Sequence, residues 1–213
     1  MTNEVSPKEI TDYFRSNIFE SISAYSAWKM LYFSKSKGMI PDNLVDRYVK
    51  IQNFHSSFFA TAELAFLNHF VIKILHPFDK RHDSLSLYKV DKDKTVKFVE
   101  DNVAVLDKLK IVRNKVFAHR DESEKSTTFT LPSIVEMDSL INNLIRFYNK
   151  LTLETDKSTT FFSFSEEVMR DIELLFMNLE RGEAIRKLEI DIDLMWDKDD
   201  KKASKLLLNK EKI

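Results

Sequence analysis

The pattern of apolar and polar residues predicts long amphipathic helices, the first of them near the N-terminus. Apolar and aromatic residues recur there at helical spacing. Ser6-Pro7-Lys8-Glu9 is a capping box with proline at the first helical position, so this helix is predicted from Pro7 to about Ser36, with Gly38 ending it. Its aromatic residues are expected to face a core or a dimer interface: Tyr13, Phe14, Phe19, Tyr25, Trp28, Tyr32 and Phe33.

Two further long helices are predicted before the middle of the chain. The second runs from Pro41-Asp42 to about His76, where Pro77 stops it, and it is apolar on nearly every side, as expected for a central bundle helix. A polar linker follows, and the third helix is predicted from Asp91 or Lys92 to Ala118.

The remaining pattern predicts shorter helices. A fourth begins at the capping box Ser133-Ile134-Val135-Glu136 and runs to Leu153. A fifth is predicted over Ser163–Glu180 with Gly182 as its stop, and a short helix over Glu183–Met195 follows.

Composition supports the same fold class. The 213 residues include only 2 glycines and 4 prolines but 17 phenylalanines, so there are few sites for tight hairpins or phosphate-binding glycine loops. The sequence therefore predicts an all-α bundle of five to six helices. We expect residues 1–160 to form the bundle and residues 161–213 to be a C-terminal helical extension packed on the same domain or continuing it.

Charge and residue usage narrow the function classes. The absence of cysteine removes disulfides, thiolate catalysis and cysteine-ligated metal sites, and fits a reducing, cytoplasmic location. Glu63, His69 and Lys73 interrupt the most apolar helix, so no membrane anchor is expected. The formal net charge of −1 argues neither for nor against nucleic-acid binding. Only local clusters of basic residues can indicate such binding.

Histidine and aspartate clusters elsewhere do not predict a metal site. His55, His69 and His76 lie seven and fourteen residues apart, a spacing unlike metal-ligand pairs on a helix. The pair His82-Asp83 lacks a second pair of the same kind. The acidic residues near the C-terminus lack the glycine turn and closing glutamate of a calcium loop. No metal and no other cofactor is predicted.

The residues with most chemical potential lie at the end of the third predicted helix, in the stretch Lys108–Asp121. It reads KLKIVRNKVFAHRD and brings an arginine, a histidine and several hydrogen-bonding groups into a few helical turns. Arg113 lies near the middle of an apolar stripe, which predicts either a buried polar network or a wet cleft between subunits. His119 is roughly 240° around the helix from Arg113 and about 9 Å along it. A long arginine side chain, a frayed helix end or a second subunit must therefore bring the two together.

The nonapeptide Arg113-Asn114-Lys115-Val116-Phe117-Ala118-His119-Arg120-Asp121 resembles the R-polar-x(3–5)-H signature of HEPN domains, and its wording is most similar to their abortive-infection, AbiU-type branch. The segment Asp83–Tyr88 is similar to the short segment before the motif helix in that branch. The resemblance covers about residues 5–150. It implies a HEPN-like helical bundle that dimerises so that two motifs face one cleft, often as a metal-independent endoribonuclease in bacterial defence or toxin systems.

The resemblance implies a set of site residues. Arg113 would stabilise the charge on the reacting phosphate, His119 would transfer protons at the 2′-hydroxyl or the leaving oxygen, and Asn114 would orient the phosphate or His119. Four more residues are expected to contact RNA or to support these three: Lys110, Lys115, Arg120 and Asp121.

Three functions remain open at this point. The first is the endoribonuclease, with RNA as substrate. The second is a non-catalytic dimeric module that binds RNA, an antitoxin or another partner protein, because fold does not determine function. The third is a structural bundle without RNA contact.

We predict a homodimer, because the phenylalanine-rich first two helices carry more apolar surface than a small bundle buries. The apolar surface that stays exposed favours association of two copies. Light scattering during gel filtration should give about twice the 25.1 kDa mass of one chain. A single-chain mass at micromolar concentration would contradict the prediction.

Overall fold

The computed structural model describes residues 5–114, 130–162 and 165–189. Within these ranges the chain forms seven α-helices and no strand, apart from an isolated bridge between Lys37 and Ile40. The helices are α1 (Pro7–Phe33), α2 (Asp42–Phe54), α3 (Ser56–Leu75), α4 (Lys92–Asp101), α5 (Val103–Val112), α6 (Ile134–Thr155) and α7 (Ser165–Glu189). Short 3-10 turns occupy His76–Phe78 and Leu87–Lys89. The predicted all-α class is confirmed.

The predicted helix starts agree closely with the observed caps. Ser6 and Ser133 each accept from the backbone three residues ahead while the glutamate there, Glu9 or Glu136, accepts from the cap backbone. Asp91 likewise accepts from the backbone N–H of Lys94 at the start of α4. These local devices satisfy N–H groups that a helix leaves unpaired, which is why sequence alone locates them. The predicted start at Ser163 lies outside the described residues.

Two of the long helices predicted from periodicity are each divided in two. The second predicted helix breaks at His55, whose φ of −109° and ψ of 41° are not helical, into α2 and α3. The third breaks at Asn102, where the side chain donates to the carbonyl of Phe98 at 2.8 Å and accepts from Asn143 at 3.0 Å. An asparagine that bonds its own backbone competes with the helix, and apolar periodicity does not register it.

The predicted stop at Gly182 is wrong, because α7 continues through it to Glu189. A glycine inside a helix costs only about 1 kcal/mol relative to alanine. Contacts on both sides of it offset this cost: Glu180 pairs with Arg47, and the Arg186 guanidinium lies 4.3 Å from the centre of the Phe54 ring. The first turns of the predicted short helix after Gly182 therefore belong to α7.

The main core forms where α1 packs along α3 and where α5 and α6 close over this pair. Its fully buried members include Phe14, Phe70, Leu106 and Leu109. Polar links join the same layers, since Asp138 on α6 accepts from the Tyr25 hydroxyl at 2.9 Å and from Lys29 at 2.8 Å. Burial and the Asp138 carboxylate raise the pKa of Tyr25, so its hydroxyl stays protonated and donates.

A second cluster joins α7 to α1, α2 and α3. It contains Ala27, Met30, Leu31, Tyr48, Ile51, Phe59, Ile172 and Phe176. The Phe176 ring stacks on Tyr48, with centroids 4.4 Å apart, and on Phe59, with centroids 5.4 Å apart. The division at residue 160 stays a prediction, and in the structure α7 packs on α1 and α2.

The helix α3 is the most apolar element. Together with the turn that follows it, Ser56–Phe78 is long and apolar enough, by length and composition alone, to cross a membrane. The central helix of a bundle meets the same test, and α3 packs along α1 here. Its polar residues pair across that contact: Glu63 with Lys35, and both His69 and Lys73 with Glu20. The absence of a membrane anchor stays a prediction.

The burial of Phe176 generates a stability prediction. Phe176→Ala should lower the free energy of unfolding by about 3–5 kcal/mol, because it removes a fully buried ring and leaves a cavity. Urea denaturation followed by circular dichroism measures the change. The matched control is Phe161→Ala, since Phe161 is 86% exposed and its loss should leave stability nearly unchanged. Equal effects for the two variants would show that α7 does not dock as described.

Candidate functional site

The position of Arg113 is set by the buried face of α5. Leu106, Leu109 and Val112 are almost completely buried in the main core, and α5 ends directly after them. The backbone N–H of Arg113 still donates to the carbonyls of Leu109 and Lys110. Arg113 and Asn114 then continue with π-helical backbone geometry, a local widening that often occurs at functional sites.

The Arg113 side chain is exposed, so it does not lie in a buried polar network, and the other alternative, a cleft between subunits, stays a prediction. The Arg113 Nε donates to Asn114 Oδ1 at 3.1 Å. In this structure Asn114 therefore orients the arginine.

The lysines near Arg113 have different surroundings. Lys108 donates to Glu136 on α6 at 2.6 Å, which ties α5 to the start of α6. Lys110 pairs with Asp107 at 2.7 Å, one turn earlier on the same helix, and its side chain also lines the cleft next to Arg113. Of these two lysines, Lys110 is the one placed to meet a ligand in that cleft.

Arg113 lies on the wall of a cleft of about 260 Å³, which we call the Arg113 cleft. Its lining residues are Leu75, Phe78, Asp79, Lys80, Tyr88, Val99, Leu106, Lys110 and Arg113. Aliphatic and aromatic side chains contribute much of the lining, together with three cations and one carboxylate. A surface of this composition suits a ligand that has both a flat apolar part and a negative charge.

One wall of the Arg113 cleft comes from the segment between α3 and α4. Phe78 anchors this segment, because it is buried and its ring stacks on Phe98 at 5.0 Å, which in turn stacks on Phe147 at 4.7 Å. Asp79 pairs with Arg81 at 2.8 Å, and that arginine holds the pKa of the Asp79 carboxyl below its usual range. The Asp79 carboxylate in the cleft is thus negatively charged, and the positive charge of Arg81 already balances it.

Sequence reasoning missed Lys80 and Tyr88. The Lys80 ammonium lies 5.7 Å from the centre of the Tyr88 ring, and both line the Arg113 cleft. Burial raises the pKa of Tyr88, so its hydroxyl stays neutral. The signal in the sequence is the segment Asp83–Tyr88, which ends in Tyr88 and resembles the segment before the motif helix in that family branch.

Several of the predicted site residues fall in a part of the chain that the structure does not describe. His119, Lys115, Arg120 and Asp121 lie within residues 115–129 and outside the described ranges. The structure therefore brings together Arg113, Asn114 and Lys110. The pairing of Arg113 with His119 stays a prediction.

Three other histidines each contact a different residue. His55 lies at the junction of α2 and α3 with its Nε2 3.4 Å from Glu183, His69 pairs with Glu20, and the Nδ1 of His76 lies 3.2 Å from Asn17. Among residues 5–114, 130–162 and 165–189, no group of three His, Asp or Glu side chains is placed to hold a metal ion.

Comparison with known proteins identifies the segment that carries this site. The family model HEPN_AbiU2, described as AbiU2, matches residues 70–174. The chain carries a HEPN domain of the AbiU2 family. No curated protein and no solved structure matches the chain.

The matched HEPN segment begins within α3 and ends within α7, and it includes every residue that lines the Arg113 cleft. The family resemblance inferred from Arg113–Asp121 is thereby confirmed. The family is associated with abortive infection. The cleft thus lies in the segment that the family model matches, and Arg113 in its lining begins the family motif.

The link between α5 and α6 of the HEPN domain gives a pH-dependent prediction. Lys108, together with hydrogen bonds from Ser133, lowers the pKa of Glu136 to about 2 from its ordinary 4.5. A carboxylate with a lowered pKa stabilises the folded state above the unfolded pKa, and that contribution is lost as the pH falls toward the folded pKa. Wild type should therefore exceed Glu136→Gln in stability near neutral pH, with a difference that shrinks between about pH 4.5 and 2.

Urea unfolding at a series of pH values measures this difference. Glutamine can still accept the capping hydrogen bond, so the variant isolates the charge. Glu100→Gln is the control, since Glu100 is exposed on α4 and has no ion pair among the described residues. A difference for Glu136→Gln that does not change with pH would show that the carboxylate does not hold α5 to α6.

Proposed function

We propose that the HEPN domain is a metal-independent endoribonuclease that acts as a toxin or abortive-infection effector. The observation that carries the proposal is the placement of Arg113, exposed at the end of α5 on the wall of a cleft with two more cations. This residue begins the motif that the family resemblance assigns to RNA cleavage. Phosphate recognition needs such a cation, fixed by a rigid element and open to solvent.

The proposed reaction uses the 2′-hydroxyl of RNA as nucleophile. His119 removes the proton from the 2′-oxygen as that oxygen attacks the adjacent phosphorus, and the bond from phosphorus to the 5′-oxygen breaks. A proton on the departing 5′-oxygen completes a 5′-hydroxyl, and the other product ends in a 2′,3′-cyclic phosphate. Histidine suits both proton transfers because its ordinary pKa of about 6.5 lies near neutral pH.

Arg113 stabilises the negative charge that builds on the phosphate oxygens in the transition state. The hydrogen bond from its Nε to Asn114 fixes the plane of the guanidinium, which supports an orienting role for Asn114. Lys110 adds a cation for the RNA backbone, and we assign the same role to Lys115 and Arg120, with Asp121 supporting His119.

We also propose that the active form is a cytoplasmic homodimer with two motifs at one cleft. Large apolar side chains left exposed on α3, such as Phe58 at 60% and Leu64 at 53%, support association. A second copy supplies a way to bring Arg113 and His119 together across the cleft. An antitoxin or other partner protein could hold the toxin inactive.

The test is cleavage of total RNA by purified protein in EDTA, with growth measured on expression in cells. Wild type should cut RNA, and His119→Ala should cut about 10²- to 10⁴-fold more slowly because proton transfer is lost. Arg113→Lys should also be slower, since lysine keeps the charge but loses bidentate contact with phosphate. Cleaved RNA should end in a cyclic phosphate.

The matched control is His69→Ala. His69 on α3 pairs with Glu20 on α1, and it does not line the Arg113 cleft. It should cut at the wild-type rate. Equal cleavage by wild type and His119→Ala would remove His119 from the mechanism. If no protein cuts RNA but RNA or a partner protein still binds, the non-catalytic module is the correct function.

A further inference from the structure

Flat and aliphatic side chains form much of the lining of the Arg113 cleft. Tyr88 is half-buried and packs against the main core, so its ring is held in place, and Phe78 in the same lining stacks on Phe98. A held aromatic ring in a concave surface is the usual platform on which proteins stack an unpaired base. The phenolate form of Tyr88 is disfavoured by burial, so the ring offers stacking and a neutral hydroxyl.

Lys80 lies over this ring in the free protein. Its ammonium is 5.7 Å from the ring centre, its side chain is exposed, and it has no carboxylate partner among the described residues. A cation over a ring near the surface contributes less free energy than the stacking of a base on that ring, so a base can displace the ammonium.

The displaced ammonium has a clear alternative partner. Lys80, Lys110 and Arg113 line the same cleft, which makes it a site for a phosphate group next to the ring. The one carboxylate in the lining, Asp79, is already paired with Arg81 and adds little repulsion. The volume, about 260 Å³, lies just below the ~300–1,000 Å³ of pockets for drug-sized ligands and suits one nucleotide unit.

We propose that the Arg113 cleft is a subsite for one unpaired nucleotide of the RNA, with its base on the Tyr88 ring and its phosphate held by Lys80, Lys110 and Arg113. The inference rests on the proposed function, because it places RNA at the Arg113 motif. It adds that the domain selects single-stranded segments, since a base inside a duplex is stacked on its neighbours and does not reach the floor of a cleft.

Binding to a protein that does not cut tests this subsite. In the His119→Ala background, fluorescence anisotropy gives the dissociation constant for a single-stranded oligoribonucleotide and for an analogue of equal length that carries abasic units. Tyr88→Leu should weaken binding of the oligoribonucleotide about 5- to 100-fold and leave the analogue unchanged. Tyr88→Phe should match the unsubstituted background, because the ring remains.

A substitution of Lys80 tests the role of the cation over the Tyr88 ring in the same assay. Lys80→Met should weaken the binding of both probes. It should also lower the slope of log affinity against log salt by the amount that corresponds to about one phosphate contact. Lys150→Met is the control, since Lys150 is an exposed lysine on α6 that does not line the cleft, and it should change neither probe. A duplex of the same sequence should bind more weakly than the single strand.

Thermal unfolding shows whether Tyr88→Leu retains the fold. A second measurement avoids substitution: an oligoribonucleotide with 4-thiouridine should crosslink on irradiation to the peptide that contains Tyr88. Two results would overturn the subsite: an equal effect of Tyr88→Leu on both probes, or a crosslink confined to other peptides. If the protein still binds and cuts RNA in either case, the proposed endoribonuclease function stands.

Two further outcomes are informative. Competition by a nucleoside monophosphate as strong as that by the oligoribonucleotide would overturn the proposal, because the cleft would then serve a free nucleotide. If the His119→Ala protein binds no RNA and wild type cuts none, both the subsite and the proposed function are overturned.

Discussion

The arrangement of the site depends on the burial of one face of α5. Leu106, Leu109 and Val112 are each at most 1% exposed, and burial of each such side chain contributes about 1.5–3 kcal/mol. The exposed ion pairs of the same helix contribute about 0–1 kcal/mol each. Apolar packing therefore sets the rotation of α5, and the charged groups adjust around it. Arg113 directly follows the last buried turn, so the packing of that turn sets where its backbone lies beside the cleft.

The other wall of the cleft is tied to the same core by a different contact. The rings of Phe78, Phe98 and Phe147 stack in sequence and join the segment after α3 to α4 and α6. The break at Asn102 allows this, because α4 and α5 can each direct their own apolar face inward. The distance between Lys80 and Arg113 is thus governed by the packing of the interior, although both residues are exposed.

Local chemistry explains which features could be predicted from sequence. The caps at Ser6, Asp91 and Ser133 depend on residues a few positions apart, and the all-α class follows from periodicity and the scarcity of glycine. The family motif located Arg113. The breaks at His55 and Asn102 were missed because a single side chain or backbone angle outweighs the periodic pattern.

Other features depend on residues far apart in the chain. Gly182 failed to stop α7 because contacts with Arg47 and Phe54, more than a hundred positions away, hold the helix together. The meeting of Tyr88 and Lys80 with Arg113 requires α3, α4 and α5 to be packed. Neither helical periodicity nor motif spacing contains that information.

The main core extends beyond the segment that the family model matches, because α1 contributes to it. The segment recognised as a HEPN domain begins at residue 70, inside α3, whereas Phe14, Ile18, Tyr25 and Trp28 of α1 fill the core against that helix. The segment that the family model matches is therefore smaller than the unit that packs around this core. A fragment cut at the edge of the match would lose the first turns of α3 and expose Phe70, Val71 and Ile74 to water. Transfer of this HEPN domain into another protein would therefore have to carry α1 with it.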